Sequence, residues 1–262
     1  MASLKFSTLC IIIALIVSLI LFSAFIALLV MISPSDFIRS LETKEMQYSL
    51  KLTITTSLIS TFLAVIIGIP VAYALARKDF PGKNLVKTIL DLPMAMPEIV
   101  LGITLLLLFG HTPLAQFLSM IGVKIVFSPL GIIVAQFFSA LPYTLRILSS
   151  SYETINPRYE LVSRSLGYGE LETFVKITLP LSKAGLIAST AVAFARSVGA
   201  FGAVLILAGG VYMVTETLPI TLYLNISYGN LSMAISAGIL LIIVSFITIF
   251  IIEKMGGGKL WR

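Results

Sequence analysis

The 262-residue chain is 58% hydrophobic and only 11% charged, with a mean hydropathy of +1.06 and a net charge of +6. Soluble domains are about 45–50% apolar, so this much apolar surface calls for lipid as its solvent and excludes an ordinary soluble enzyme. The one cysteine, Cys10, permits no internal disulfide; the one histidine, His111, excludes most multi-histidine metal sites; and the basic residues form no single patch, which argues against a nucleic-acid partner.

The elements follow in chain order. Residues 7–32, after Lys5, form an apolar run far longer than the ~7–15 residues of a signal-peptide core. No small-x-small cleavage site follows it, so it reads as a retained helix. Residues 33–48 are polar and read as a short surface helix. Spans follow at 50–76 and 85–110. The connection 111–127 contains PLAQFLSMIGV, which suits a helix lying at the membrane interface. A fourth span covers 128–150, and a polar island covers 156–180. A fifth span covers 183–208, and a connection beginning GGVYMVTETLPITLYL covers 209–230. The sixth span is 231–252, and the tail GGGKLWR carries Trp261, expected at headgroup level. Each span is near the ~20 residues that a bilayer requires. The expected fold is an all-α membrane protein with six transmembrane helices, a single domain over 1–262.

Lys and Arg in the connections orient the chain. With the N-terminus inside, the inner segments hold Lys5, Arg77, Lys78, Lys83, Lys87, Arg146, Arg158, Arg164, Lys176, Lys183, Lys254, Lys259 and Arg262. The outer segments hold only Arg39, Lys44, Lys51 and Lys124. Both termini and the polar island are therefore expected in the cytoplasm, with the chain multi-pass in the cell membrane.

The island reads NPRYELVSRSLGYGELETFVKITLP, with three basic residues and three glutamates in 25 positions. Asn156 suits an N-cap, Pro157 the first helical position and Gly167 the C′ position. A helix over 157–166 is expected, then a turn and a second helix over about 169–178 that ends before Leu179–Pro180. Tyr159, Val162 and Leu166 share one face at i, i+3, i+7. Glu160 and Arg164 stand at i, i+4 in the favourable order. Two readings of the apolar stripe stay open: packing on the chain's own membrane helices, or fitting a groove in a soluble partner.

The run Glu160-x6-Gly167-x9-Ile177-x-Leu179-Pro180 resembles the cytoplasmic loop of ABC importer permeases. In that family the first helix of the loop is the coupling helix, docked into a cleft of the ATP-hydrolysing subunit. Carried over by position, the docking residues are Tyr159, Glu160, Leu161, Val162, Ser163, Arg164, Leu166 and Gly167. The family usually has Glu-Ala-Ala where this chain has Leu161-Val162-Ser163, with Glu160 one position early. The stretch Asp91–Gly102 (DLPMAMPEIVLG) is similar to the third-helix segment of molybdate permeases. So are FARSVGAFGA (194–203), Leu207-Ala208-Gly209-Gly210 and Thr215-Glu216-Thr217-Leu218-Pro219. Relatives typically carry Glu where this chain has Ala200.

Ionisable residues inside a membrane are functional candidates by default, and here they are Asp91, near an inner end, Glu98 and Arg196. Counted from the starts of their spans, Glu98 and Arg196 both sit about 20 Å from the inner face at 1.5 Å per residue. That equal depth permits an ion pair, within one subunit or across a dimer seam. Pro93 and Pro97 frame Met94 and Met96 and predict a kink lining a cavity. The methionines suit either packing or a hydrophobic gate. Ser189, Thr190, Ser197, Gly199 and Gly202 suit close helix packing, while the hydroxyls equally suit solvating a passing oxyanion. Pro93, Met94, Met96, Pro97, Glu98, Arg196, Ser197, Gly199 and Phe201 are the pathway and gate candidates.

No G-x4-G-K-[ST] phosphate loop is present, so no ATPase activity of its own is expected and energy must enter from a partner. The resemblance implies a homodimer with one pathway at its seam, two cytoplasmic ATPase subunits that bind the ATP and magnesium, and an extracytoplasmic binding protein. This chain would hold no cofactor. The cargo implied is a tetrahedral oxyanion, molybdate or tungstate ahead of sulfate or thiosulfate. The rival of a different class is an ion-coupled secondary transporter, which should show paired midplane acids or inverted repeats.

Overall fold

A computed structural model describes residues 2–255; the tail with Trp261 lies outside the described residues. Among the described residues the structure is all helical, with no strand. Helix α1 (Ala2–Val30) touches the last helix, Leu231–Met255, but has none of its apolar span buried in the rest of the chain. The expected surface helix is α2 (Pro34–Glu42), opened by Ser33, whose Oγ accepts from Asp36 N at 3.1 Å. It ends earlier than its composition suggests, because Thr43 begins a new helix: Thr43 Oγ1 accepts from Met46 N at 3.2 Å. Helix α3 (Lys44–Arg77) therefore starts six residues before the apolar run does.

Two of the expected spans are broken. The third is α4 (Lys83–Ala95) and α5 (Glu98–His111), which meet at 116°. Proline disfavours helical geometry in the residue before it, and Met96, before Pro97, is accordingly extended at φ −83°, ψ 141°. The expected kink is a full change of direction. The interface helix α6 (Pro113–Met120) and span α7 (Pro129–Thr154) come next. Helix α8 (Arg158–Ser165) and α9 (Glu170–Thr173) form the polar island. Here too the structure differs from expectation: the second helix does not stop before Leu179–Pro180. It widens into a π turn over Phe174–Thr178 and continues as α10 (Leu179–Leu181). Leu179 N reaches back to Phe174 O. Widening the turn relieves the clash a proline makes with the carbonyl four residues earlier. The chain then turns 75° into α11 (Lys183–Val198). The fifth span also fails to run straight to 208. It breaks at Gly199–Phe201 and resumes as α12 (Gly202–Ala208). A helix not expected from the sequence, α13 (Leu218–Ser227), packs on α14 (Leu231–Met255). Among the described residues four helices are long and apolar enough to cross a membrane alone, and up to six spans result when each bent pair counts as one.

The centre is a three-helix contact of α3, α7 and α11. The buried face of α3 is a line of small residues: Ser49, Thr53, Ser57, Ser60, Ala64, Gly68 and Ala72. Lipid supplies no hydrophobic drive between helices, so close backbone approach and buried hydrogen bonds hold them. Ser60 Oγ lies 3.0 Å from Ser197 Oγ, and Gln136 Nε2 donates to Ser57 Oγ at 3.2 Å, tying all three helices. Leu101, Leu105, Ile132, Ala203, Val204 and Leu207 form the apolar cluster between α5, α7 and α12.

Helix α11 approaches α7 closely at Gly185. A Cβ there would lie 2.2 Å from Ser151 Oγ and 2.3 Å from Ser151 Cβ. Gly185→Ala should cost about 1–3 kcal/mol as overpacking, read as a lower thermal midpoint in detergent. Adding Ser151→Gly, which removes both clashing atoms, should restore most of it; an unchanged midpoint in the single variant would contradict this packing.

Candidate functional site

Two regions gather the residues singled out by sequence. The first is the polar island. Asn156 Oδ1 accepts from Arg158 N at 3.0 Å and starts α8. Gly167 closes it at φ +93°, a left-handed position that costs glycine nothing. Tyr168 N reaches Ser163 O at 3.3 Å across that turn. Of the residues expected to dock a partner, Tyr159, Leu161, Val162 and Leu166 are 59–74% exposed. They do not pack on the chain's own helices. Leu171, on α9, is equally bare at 74%.

Two residues of that group face inward instead. Ser163 is buried, 3.0 Å from Thr173 Oγ1. Glu160 turns away from Arg164: its Oε1 accepts from Arg77 Nε and from Thr178 Oγ1, both at 2.9 Å, and its Oε2 from Tyr73 OH at 3.3 Å. Arg77 also donates to Ile155 O at 2.8 Å. The carboxylate thus fastens α8 to the end of α3 and to the π turn. Tyr73, Tyr152 and Phe174 pack edge to face beneath it, with the Tyr73 and Phe174 rings 4.8 Å apart. A second strap joins Lys78 to Glu170, and the ammonium holds that carboxyl below its usual range. Sequence reasoning missed Arg77, Tyr73 and Thr178. The signal was there in part, since Arg77 ends a span on the same side as Glu160.

The second region lies where the two broken spans meet. Glu98 opens α5 and Arg196 closes α11, and Arg196 Nη2 stands 3.7 Å from Glu98 Oε1 within the one chain. The straight-span depth count does not describe the cause, because the third span is broken two residues before Glu98. What joins them is the second break: Glu98 Oε2 accepts from Phe201 N and Gly202 N, each at 3.1 Å. These are the opening N–H groups of α12, which otherwise lack partners. Gly202 permits the approach, since a Cβ there would sit 3.0 Å from Glu98 Cβ and from Ile99 N. The Tyr143 ring lies 4.5 Å from the guanidinium.

The other gate candidates divide. Met94, Met96 and Pro93 are half-buried around the break, and Pro97 is exposed at it. Phe201 packs on Tyr223, ring centroids 5.2 Å apart. Gly199 is exposed and caps α11. Ser197 is placed in the packed centre rather than on an open face: it is fully buried against Ser60. Ser189 is also buried, and Thr190 spends its hydroxyl on Leu186 O at 2.7 Å. Packing thus takes the hydroxyls of Ser189 and Ser197, while Thr190 stays exposed. Towards the island, Arg146 grips Asp91 with two bonds, Nε to Oδ1 at 3.2 Å and Nη2 to Oδ2 at 3.1 Å, a pair that the sequence reading did not draw. Among the described residues no group of three or more His, Cys, Asp or Glu could hold a metal ion.

Residues 64–255 match the family described as binding-protein-dependent transport system inner membrane component. The molybdenum transport system permease protein ModB of Mycobacterium tuberculosis is 35% identical over 208 residues, covering 79% of this chain and 78% of that protein. The sulfate transport system permease protein CysT of Salmonella typhimurium is 31% identical over 206 residues, covering 78% and 74%. Among solved structures, a chain of a bacterial alginate ABC transporter superposes with a TM-score of 0.75 at 16% identity, covering 95% of each chain. A chain of the MetNI methionine ABC transporter gives 0.61 at 20% identity, covering 82% and 97%. At these identities the structural likenesses establish the fold alone.

Proposed function

The chain belongs to the binding-protein-dependent transport system inner membrane components, and from that premise we propose that it is the permease subunit of an ABC importer for a tetrahedral oxyanion. Molybdate or tungstate is favoured over sulfate by the Thr215-Glu216-Thr217-Leu218-Pro219 stretch. Two copies form the pathway at their seam. Helix α8 lies in the cytoplasm and docks into a cleft of the ATPase subunit, which binds ATP and magnesium. An extracytoplasmic binding protein delivers the cargo.

One observation carries the reading. Helix α8 bares its apolar side chains and fastens its acidic one. Tyr159, Leu161, Val162 and Leu166 stand open. Glu160 is tied by three hydrogen bonds to α3 and to the π turn that leads into α11. An apolar patch on a short polar helix marks a docking face, and a rigid root beneath it transmits whatever moves the face. ATP-driven approach of the two ATPase subunits would draw the two α8 helices together and swing α3 and α11 with them. The ion-coupled rival has less support: the acid at the span break, Glu98, is met by Arg196 and by backbone N–H groups.

The test is to purify the chain with its ATPase partner, reconstitute it, and add the binding protein loaded with molybdate, tungstate or sulfate in turn. The expected result is ATP hydrolysis stimulated by the loaded binding protein, with molybdate or tungstate ahead. No associated ATPase would overturn the subunit reading; stimulation by sulfate alone would reassign the cargo.

A further inference from the structure

The ion pair at the two helix breaks is lopsided. Glu98 spends one oxygen fully, since Oε2 accepts from two backbone N–H groups at 3.1 Å. Its other oxygen stops 3.7 Å from Arg196 Nη2, beyond the ~2.7–3.2 Å of a made N–H···O bond. Arg196 is the reverse case. A guanidinium offers five N–H donors, yet no hydrogen bond from Arg196 is found among the described residues, and its Nε is buried without a partner. The other arginines that pair with carboxylates do spend their donors: Arg77 reaches Glu160 at 2.9 Å, and Arg146 holds Asp91 at 3.1 and 3.2 Å. The Arg196 side chain is 41% exposed and that of Glu98 is 32% exposed. Exposed charge of this kind is costly against lipid and belongs at a watery cavity or a protein seam.

We propose that Glu98 is a tethered counter-anion, which offsets the charge of Arg196 without occupying its donors, so that Arg196 hydrogen-bonds an oxyanion in passage and does not keep it. The inference rests on the oxyanion reading above. A tetrahedral dianion presents several acceptor oxygens and two charges, which suit the unspent Nη donors at the edge of a guanidinium that has Tyr143 against one face. Left alone with Arg196, such an anion would bind and leave slowly. Glu98 cannot diffuse away, because α12 holds it by Phe201 and Gly202. Its carboxylate repels the arriving dianion and re-forms the neutral pair as the dianion departs. Glu98 is thus a positioning residue that sets release.

Glu98→Gln tests this, because glutamine keeps an oxygen for the two N–H groups and removes the charge. The purified complex with its ATPase, without binding protein, is titrated with molybdate, tungstate and sulfate by equilibrium dialysis. Glu98→Gln should bind oxyanion at least about tenfold more tightly than the unaltered complex, the scale of one charge interaction. Uptake should slow correspondingly, and the gain in binding should vanish in the Glu98→Gln/Arg196→Gln pair. No gain in the single variant, or a gain that survives in the pair, overturns the proposal. If Glu98→Gln does not assemble, Arg196→Gln decides. It leaves the Glu98 charge unmatched, and uptake at saturating binding protein should fall about tenfold while stimulated ATP hydrolysis persists; uptake equal to that of the unaltered chain overturns the proposal. If the unaltered complex imports no oxyanion with any loaded binding protein, it is the oxyanion reading that fails.

Discussion

Aspartate at Val162 and Leu166 together is expected to detach the ATPase and bring uptake to background while leaving the permease folded. In the free chain these side chains are 59% and 74% exposed, so a charge there meets water. Surface substitutions of this kind usually change stability by within about 0.5 kcal/mol. If α8 docks as proposed, the same positions would lie in the desolvated centre of an interface. There an unpaired charge costs about 3–5 kcal/mol, and a few central side chains carry most of the affinity. Two such charges on each copy exceed what a small helix-in-cleft contact can absorb. The measurement is co-purification of the ATPase with the variant, beside its thermal midpoint in detergent. Undiminished co-purification with normal uptake would show that the apolar face serves something else. Gly167→Pro should give the same loss by another route, since proline cannot adopt the φ of +93° that closes α8.

Glu160→Ala is expected to separate docking from transport. The Glu160 and Arg77 side chains are only 13% and 10% exposed. Removing the carboxylate leaves a nearly buried guanidinium without its counter-ion, held only by Ile155 O, and orphans Thr178 Oγ1 and Tyr73 OH as well. Breaking such a pair costs about 3 kcal/mol, at the low end of the buried range because some water reaches it. The docking face of α8 is untouched, so the ATPase should still co-purify. Helix α8 would, however, no longer be rooted on α3, and uptake per ATP hydrolysed should fall by about tenfold or more. Arg77→Ala should behave alike, and the double variant should be no worse than either single one, as residues acting through one contact do. Losses that add in the double variant would mean that the two side chains act separately.

The two sites differ in how much of them a reader of the sequence can see. The polar island is nearly all there: its Asn156 start, its Gly167 stop and its apolar spacing are local signals. What local signals do not give is the direction in which Glu160 points. At i, i+4 from Arg164 it suits a surface pair, and its actual partner is 83 residues away in the sequence. The Glu98 site is the converse. Its residues stand out as charges in apolar runs, and the sequence brings them to similar depths. The straight helices assumed for that estimate are absent, and both residues meet at breaks. Ser197 illustrates the same limit, because a hydroxyl in a span is equally suited to a passage and to a helix seam until its neighbours are known.

By itself the sequence determined that the chain is a helical membrane protein, which ends of its spans carry basic charge, and which 25 residues form a polar loop. Composition and the 3.6-residue period set these, and both are properties of short windows. Tertiary structure alone decided how sharply the third span turns, that the fifth breaks at all, that Glu98 closes that second break, and that Glu160 faces inward. The physical reason is backbone satisfaction. A break in an apolar span leaves N–H groups that lipid cannot hydrogen-bond, so it persists only where another element supplies an acceptor. That acceptor, the Glu98 carboxylate, lies 103 residues from Phe201 along the chain, and only folding brings it there.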